Sequence, residues 1–206
     1  MIRAGTSRTL FATKGIQPMK SMTKRLLAAL LAVAALFALA GCSKSDKADA
    51  APKDYTKILH DARPDEDNEY YMIFSPGEDG KFTAQYGYSD SYDAAQLDEE
   101  IRNMLLPLLN LEEDMYTDFA ASVSGMMVQS YGIAIVKPAE GKQQAVSEAL
   151  DAYVQSQMQS MEHYLEDQYQ IAASSHISTA PTGEVILVCC ENPEAVMNAI
   201  KTALAA

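Results

Sequence analysis

Two adjacent cysteines, a histidine flanked by carboxylates and a short acidic run are the side chains of this 206-residue chain with the most obvious capacity for chemistry. Cys189 and Cys190 close the run Val185-Ile-Leu-Val-Cys-Cys190. A thiolate is a nucleophile and a metal ligand, whereas a thiol buried among aliphatic groups is inert. In an extended segment successive side chains point to opposite faces, so these two thiols do not easily pair. They read as core cysteines, with metal or redox use as the alternative. His163 stands between Glu162 and Glu166. On a helix, a His and a Glu three residues apart share a face and can hold a metal. A single such pair lacks the second that a site needs, and no H-E-x-x-H motif occurs, so the group reads as a solvated helix face, with metal binding as the alternative. Asp65-Glu-Asp-Asn-Glu69 offers hard oxygen ligands suited to Ca²⁺, but it lacks the glycine and the twelfth-position Glu of an EF-hand loop. It reads as a solvated acidic loop, with Ca²⁺ binding as the alternative. His60 and His176 have no neighbour in sequence that makes either a ligand. There is no G-x-S-x-G elbow, Walker loop or dinucleotide fingerprint. No catalytic residue, metal ligand or cofactor is assigned.

The elements that must carry these groups follow from periodicity. Tyr55, Ile58, Leu59 and Ala62 share a helical face, with Asp54 as cap and Pro64 as stop. Tyr70–Phe74 and Phe82–Tyr88 are expected to pair around Pro76-Gly-Glu-Asp-Gly80. Leu97, Ile101, Met104, Leu105 and Leu108 predict a helix from about Asp93 to Leu106, ended or kinked by Pro107. Phe119, Ala121 and Val123 alternate as a half-buried strand does, and so do Tyr131, Ile133 and Ile135. A stripe from Val146 through Leu150, Tyr153, Val154, Met158 and Met161 to Leu165 predicts one helix over about Gly141–Tyr169. Its polar side is rich in glutamine, which suits a partner surface or plain solvent. His176–Ala180 and Val185–Cys190 form a hairpin across Pro181-Thr-Gly183. Val185–Cys190 is apolar on both faces, as a central strand is. Asn192 and Pro193 open a last helix that buries Val196, Ile200 and Leu204. The expected fold is α+β: an antiparallel sheet with helices on one face, β-β-α-β-β-α in the C-terminal part, after a more helical segment. Residues 55–206 are expected to be a single domain. About 150 residues are too few for two lobes around a solute cleft.

Charge is uneven along the chain. Residues 1–42 hold six of the 16 Lys and Arg residues and none of the 28 Asp and Glu, so the remainder carries ten basic against 28 acidic residues, a net of −18. That surface repels phosphate backbones and anionic headgroups, so nucleic acid is excluded as a partner and any membrane attachment needs something other than a basic patch. Lys20, Lys24 and Arg25 precede 15 consecutive apolar residues, Leu26–Ala40. That is the length of a signal-peptide core and short of the roughly 20 residues that span a bilayer. The run ends in Leu39-Ala40-Gly41-Cys42, which resembles the lipobox of bacterial lipoproteins. The resemblance implies cleavage before Cys42 and lipid on its sulfur, with residues 1–41 as signal peptide. The expected location is then the extracytoplasmic face of the cell membrane. With Cys42 so used, no structural disulfide is expected. Signal peptides usually run to about 30 residues at most, so a true start at Met19 or Met22 is expected. Residues 42–54, small and polar, read as a flexible tether reaching about 20 Å.

Further resemblance lies in Ala121-Ser-Val-Ser124, Tyr131-Gly-Ile-Ala-Ile-Val-Lys-Pro-Ala-Glu-Gly-Lys142, Tyr164-Leu-Glu-Asp-Gln-Tyr169 and Val185-Ile-Leu-Val-Cys-Cys190. Over about residues 110–205 the chain resembles the family called Domain of Unknown Function 4358. The resemblance implies a small bacterial lipoprotein with no established activity, and it supplies no catalytic residue. The functional expectation is a non-enzymatic, lipid-anchored module that binds an envelope protein or other envelope component. The alternative is an extracytoplasmic metal-binding domain or enzyme that uses the acidic run or Glu162, His163 and Glu166.

Overall fold

The computed structural model describes residues 52–206. The signal segment with its two alternative starts, the lipobox Leu39, Ala40 and Gly41, Cys42, and the tether up to residue 51 lie outside the described residues.

Helix α1 (Tyr55–Ala62) starts where the Asp54 carboxylate accepts a hydrogen bond from the Lys57 amide at 2.9 Å. It ends because Pro64 disfavours helical geometry in the residue before it, and Arg63 is accordingly extended. The acidic run expected as a loop is instead a short helix, α2 (Asp65–Tyr70). Asp65, Glu66 and Asp67 occupy its first turn, where the helix dipole favours negative charge. Strands β1 (Ile73–Pro76) and β2 (Phe82–Gln85) pair antiparallel around the expected turn.

Helix α3 (Ala94–Glu100) opens with a capping box between Asp93 and Gln96. It continues through a π turn (Ile101–Leu105) into a last turn, Leu106–Leu108. Pro107 lacks an amide hydrogen and would clash with the carbonyl four residues back. The widened turn, with the Leu106 amide bonded to the Ile101 carbonyl, takes the helix past it.

The remaining elements are β3 (Tyr116–Val123), β4 (Gly132–Pro138), α4 (Gln143–Met161), α5 (Glu166–Ala173), β5 (His176–Thr179), β6 (Val185–Cys189) and α6 (Pro193–Ala205). The six strands form one antiparallel sheet in the order β2-β1-β3-β4-β6-β5. The α+β class, the antiparallel sheet and the interior place of β6 are as expected.

Three expectations are corrected. Helices cover both faces of the sheet, where cover on one face was expected. Phe119, Ala121, Ala134, Val136, Leu187 and Cys189 pack with residues of α3 and α4, whereas Ala120, Ile133, Ile135, Ile186, Val188 and Cys190 pack with α1 and α6. The cause is visible in β4 and β6, whose residues are apolar at odd and even positions alike. All five residues of β6 are fully buried, and burial of each large aliphatic contributes about 1.5–3 kcal/mol, so both faces need a lid.

The helix expected over 141–169 is broken. It stops at Met161, His163 takes a left-handed φ of +67°, and α5 restarts at Glu166. Unbroken, those 29 residues would span about 40 Å, far beyond strands of four to eight residues, and the chain could not return to begin β5. Finally, Asn192 stands at the α6 N-cap position in the left-handed region, and its side chain caps nothing.

One close approach fixes α4 on the sheet. The Tyr153 hydroxyl donates to the Tyr131 carbonyl at 2.8 Å. Gly132 makes room for it, since a Cβ there would lie 2.6 Å from the Tyr153 oxygen.

Candidate ligand cleft

At the end of the sheet where β4 begins and β6 finishes, the side chains are polar and aromatic. Arg63 is the anchor. Arg63 follows α1 in extended backbone, and its guanidinium runs into the protein, where the residue is 5 % exposed. Its Nη1 donates to the Ser122 hydroxyl at 2.7 Å and to the Tyr131 hydroxyl at 3.1 Å. Nε donates to the Asn68 side-chain oxygen and Nη2 to the Tyr71 carbonyl, each at 2.6 Å. The Asn68 amide in turn donates to the His60 carbonyl. A buried charge needs partners of this kind, and here they come from α2 and the residue after it, from β3 and from the residue before β4.

This network aligns an aromatic pair. The rings of Tyr71 and Tyr131 stack at 3.8 Å between centroids, 12° from parallel. Burial raises both phenols above their ordinary pKa, against the opposing pull of Arg63 on Tyr131.

The pair forms part of the wall of a cleft of about 500 Å³. Its rim carries exposed Tyr70, Tyr88 and Met126, and its charged lining residues are Glu66, Asp67 and Glu191, with no Lys, Arg or His among them. Burial raises the Asp67 carboxyl above its ordinary value, the nearby Arg63 charge opposes this, and Glu66 and Glu191 add repulsion. Ser130 also lines the cleft. It is 3 % exposed, and its amide donates to the Gln168 side-chain oxygen at 2.9 Å. Its hydroxyl has no hydrogen-bond partner among the described residues. A buried hydroxyl in that state is uncommon in native folds and requires a reason.

The side chains singled out in sequence are distributed differently. Cys189 and Cys190 are free, buried and on opposite faces of the sheet, as expected. Burial pushes their thiols up to about 11 and about 12, so neither is a thiolate at neutral pH. Cys190 lines the cleft as a protonated thiol. His163 is almost fully exposed in the helix break, 3.6 Å from Glu162. Because the break falls between them, His163 and Glu166 do not share a helical face. The His60 ring packs tilted against Tyr86, 4.1 Å between centroids, and meets Asp61 at 3.0 Å, and His176 is exposed on edge strand β5. Among the described residues no three His, Cys, Asp or Glu side chains converge as a metal site. The acidic run supplies Glu66 and Asp67 to the cleft as residues of a helix.

Arg63, Tyr71 and Ser130 were not singled out from sequence, Asp67 was singled out only as part of the acidic run, and Tyr131 was read only as a strand residue. A signal existed for one of them: in spacing Arg63 continues the apolar stripe of α1, and a charge on a core face is a buried polar network in waiting. The others come from segments 60 residues apart, and no local pattern joins them.

Comparisons with curated proteins and with solved structures yield no match. A family comparison does yield one, with wider reach on the N-terminal side than the residues quoted above for the resemblance. Residues 89–190, from the 3₁₀ turn before α3 to the residue after β6, match the family model described as a domain of unknown function (DUF4358).

Proposed function

We propose that this chain is a lipoprotein, held through Cys42 at the extracytoplasmic face of the cell membrane, whose folded domain is a non-enzymatic binding module working through the tyrosine cleft. One observation carries the address: a basic segment, 15 apolar residues and Leu39-Ala40-Gly41-Cys42 follow one another in the order and spacing that export and lipidation need. Each buried CH₂ of an acyl chain contributes about 0.8 kcal/mol, so two or more chains suffice for stable anchoring without any basic patch. The cleft supports the binding role. It has concavity, aromatic walls and a polar group left free, and its one thiol is protonated. On this reading the membrane, through Cys42, and an envelope component that enters the cleft are the partners.

Cys42→Ala tests the address. Cells are labelled with radioactive palmitate, and the full chain is followed by mass and by membrane fractionation. Wild type is expected to take up label and sediment with membranes, whereas Cys42→Ala takes up none and keeps the precursor mass. A Cys42→Ala chain that matures and partitions like wild type would overturn the proposal.

A further inference from the structure

We infer that the β3–β4 turn Met126-Met127-Val128, with the cleft rim of Tyr70 and Tyr88, is the docking surface for a basic amphipathic protein segment, an inference that rests on the binding role proposed above and names its partner. Of the eight large apolar side chains exposed among the described residues, these are five. Apolar residues exposed singly are ordinary, whereas a contiguous group marks an interaction site. Contiguity follows from the cleft. Tyr70, Tyr88 and Met126 line it together, and Met127 and Val128 sit between the lining residues Met126 and Gln129. Met127 is 88 % exposed, and Met126 and Val128 are about half exposed. The turn is braced. The Ser124 amide donates to the Tyr131 carbonyl at 2.9 Å, the Gln129 amide to the Met126 carbonyl at 3.2 Å, and the Met126 amide to the Ser124 hydroxyl oxygen at 3.1 Å. Its apolar side chains are therefore held in water before any partner arrives, which lowers the ordering cost of docking. Methionine adapts to a partner's shape, and tyrosine offers an apolar ring with a polar tip.

Several occupants compete for this surface. A small molecule confined to the cleft leaves Met127 and Val128 bare, since neither lines it. The chain's own bilayer is disfavoured by where the tether joins the domain. The Lys53 ammonium donates to the Leu204 carbonyl and the Tyr55 hydroxyl to Glu184, at the end of the sheet opposite the cleft. Helix α6 runs between the two ends, from beside Asn192 in the cleft wall to Leu204, and its 13 residues measure about 20 Å. A tether that reaches about 20 Å keeps the joined end at the membrane and carries the apolar turn beyond it. A second copy is disfavoured by charge. A two-fold contact sets a patch against its own duplicate, which would bring Glu66, Asp67 and Glu191 against the same carboxylates. A protein segment with Lys or Arg beside its apolar anchors meets both features. The anchors cover the methionines and tyrosines, and the cations meet a cleft lining that holds those three carboxylates and no Lys, Arg or His.

The test is photocrosslinking in the protein's native cells, with benzoylphenylalanine placed in the full chain at Met127. The control position is Gln143, which is exposed at the opposite end, where its side chain donates to the Gly183 carbonyl. Adducts are isolated, and the joined peptide is sequenced by mass spectrometry. The probe at Met127 is expected to join one protein, at a segment of net positive charge that carries apolar residues, and the probe at Gln143 is expected not to join that protein. Two double variants are then made in the chain that carries the Met127 probe. Glu66→Lys/Glu191→Lys and Met126→Ser/Val128→Ser are each expected to lower the adduct about tenfold. All four side chains are exposed, so each melting temperature is expected to stay within about 3 °C of the parent chain. The sequenced adduct decides alone where a variant folds poorly. An undiminished adduct in either folded variant would overturn the inference, as would equal joining of the same protein at Gln143. An adduct at Met127 to lipid, to a second copy or to a segment without net positive charge would overturn it and leave the binding role intact. No adduct at Met127 would overturn both.

Discussion

Glu184 and Asp67 are carboxylates set beside tyrosines at opposite ends of the same strand pair, β4 and β6, and their surroundings differ in kind. Glu184, at the start of β6, is 4 % exposed and fully engaged: the Tyr55 hydroxyl donates to Oε1 at 2.9 Å and the Thr182 hydroxyl to Oε2. Burial works to raise its pKa, but the bonds from Thr182, its own backbone amide and Tyr55 outweigh burial and hold it below the usual value. Asp67, beyond the far end of β6, is raised, because burial outweighs both the Arg63 charge and the Tyr131 hydroxyl beside it. One end of the sheet is closed, with its polar groups matched. The other has an unmatched hydroxyl, a carboxylate held at a disadvantage and an open concavity. Imperfect satisfaction of this sort concentrates where a fold is shaped for something other than its own stability.

The largest expected effect breaks the open end. Arg63→Ala removes the charge that Ser122, Asn68, Tyr131 and the Tyr71 carbonyl surround. It is expected to destabilise the domain by about 3–5 kcal/mol, because several buried polar groups lose their partner at about 1–3 kcal/mol each. Denaturant unfolding measures it, and a loss under about 1 kcal/mol would mean that α2 is not held by Arg63.

At the closed end, Glu184→Gln keeps the shape but loses the charge that strengthens two hydrogen bonds, so a loss of about 1–2 kcal/mol at pH 7 is expected. The sign with pH follows from a folded pKa below the unfolded one. Glu184 stabilises above the ordinary carboxylate range, and that contribution fades as pH falls through its folded value. Stability measured from pH 7 down to 3 is therefore expected to fall less steeply in Glu184→Gln than in wild type.

The smallest effect is at Asp67. Its folded pKa lies above the unfolded value, so its contribution is lost as pH rises through the ordinary range and is unfavourable at neutrality. Asp67→Asn is expected to match or slightly exceed wild-type stability at pH 7, within about 0.5 kcal/mol. A loss as large as that of Glu184→Gln would erase the distinction between the two ends.

Half of the cleft lies outside the stretch that matches the family model. Ser130, Tyr131, Gln168, Ile171 and Cys190 fall within residues 89–190, but Asp67, Tyr70, Tyr71 and Tyr88 precede it and Glu191 follows it. The strands inside that stretch were readable because alternation and turn residues are local signals: Tyr131, Ile133 and Ile135 mark β4, and Pro181-Thr-Gly183 marks the β5–β6 turn. The break at Glu162–Leu165 contains no Pro or Gly, so nothing local announced it. Helices on both faces were implied by a strand apolar on both sides. That strand was read as central, and the second layer it required was not deduced.

By itself the amino-acid sequence determined the antiparallel α+β class, the interior position of β6, the buried thiols of Cys189 and Cys190 and the acidity of everything beyond Cys42. These follow from side-chain periodicity and charge, which act over a few residues or over the chain as a sum. Tertiary structure alone decided that α2 is a helix, that the long helix breaks near His163, and that Arg63, Asp67, Tyr71, Ser130 and Tyr131 meet. Those outcomes depend on which distant segments must share a buried volume, and a guanidinium excluded from water selects its partners by reach and not by position in the chain.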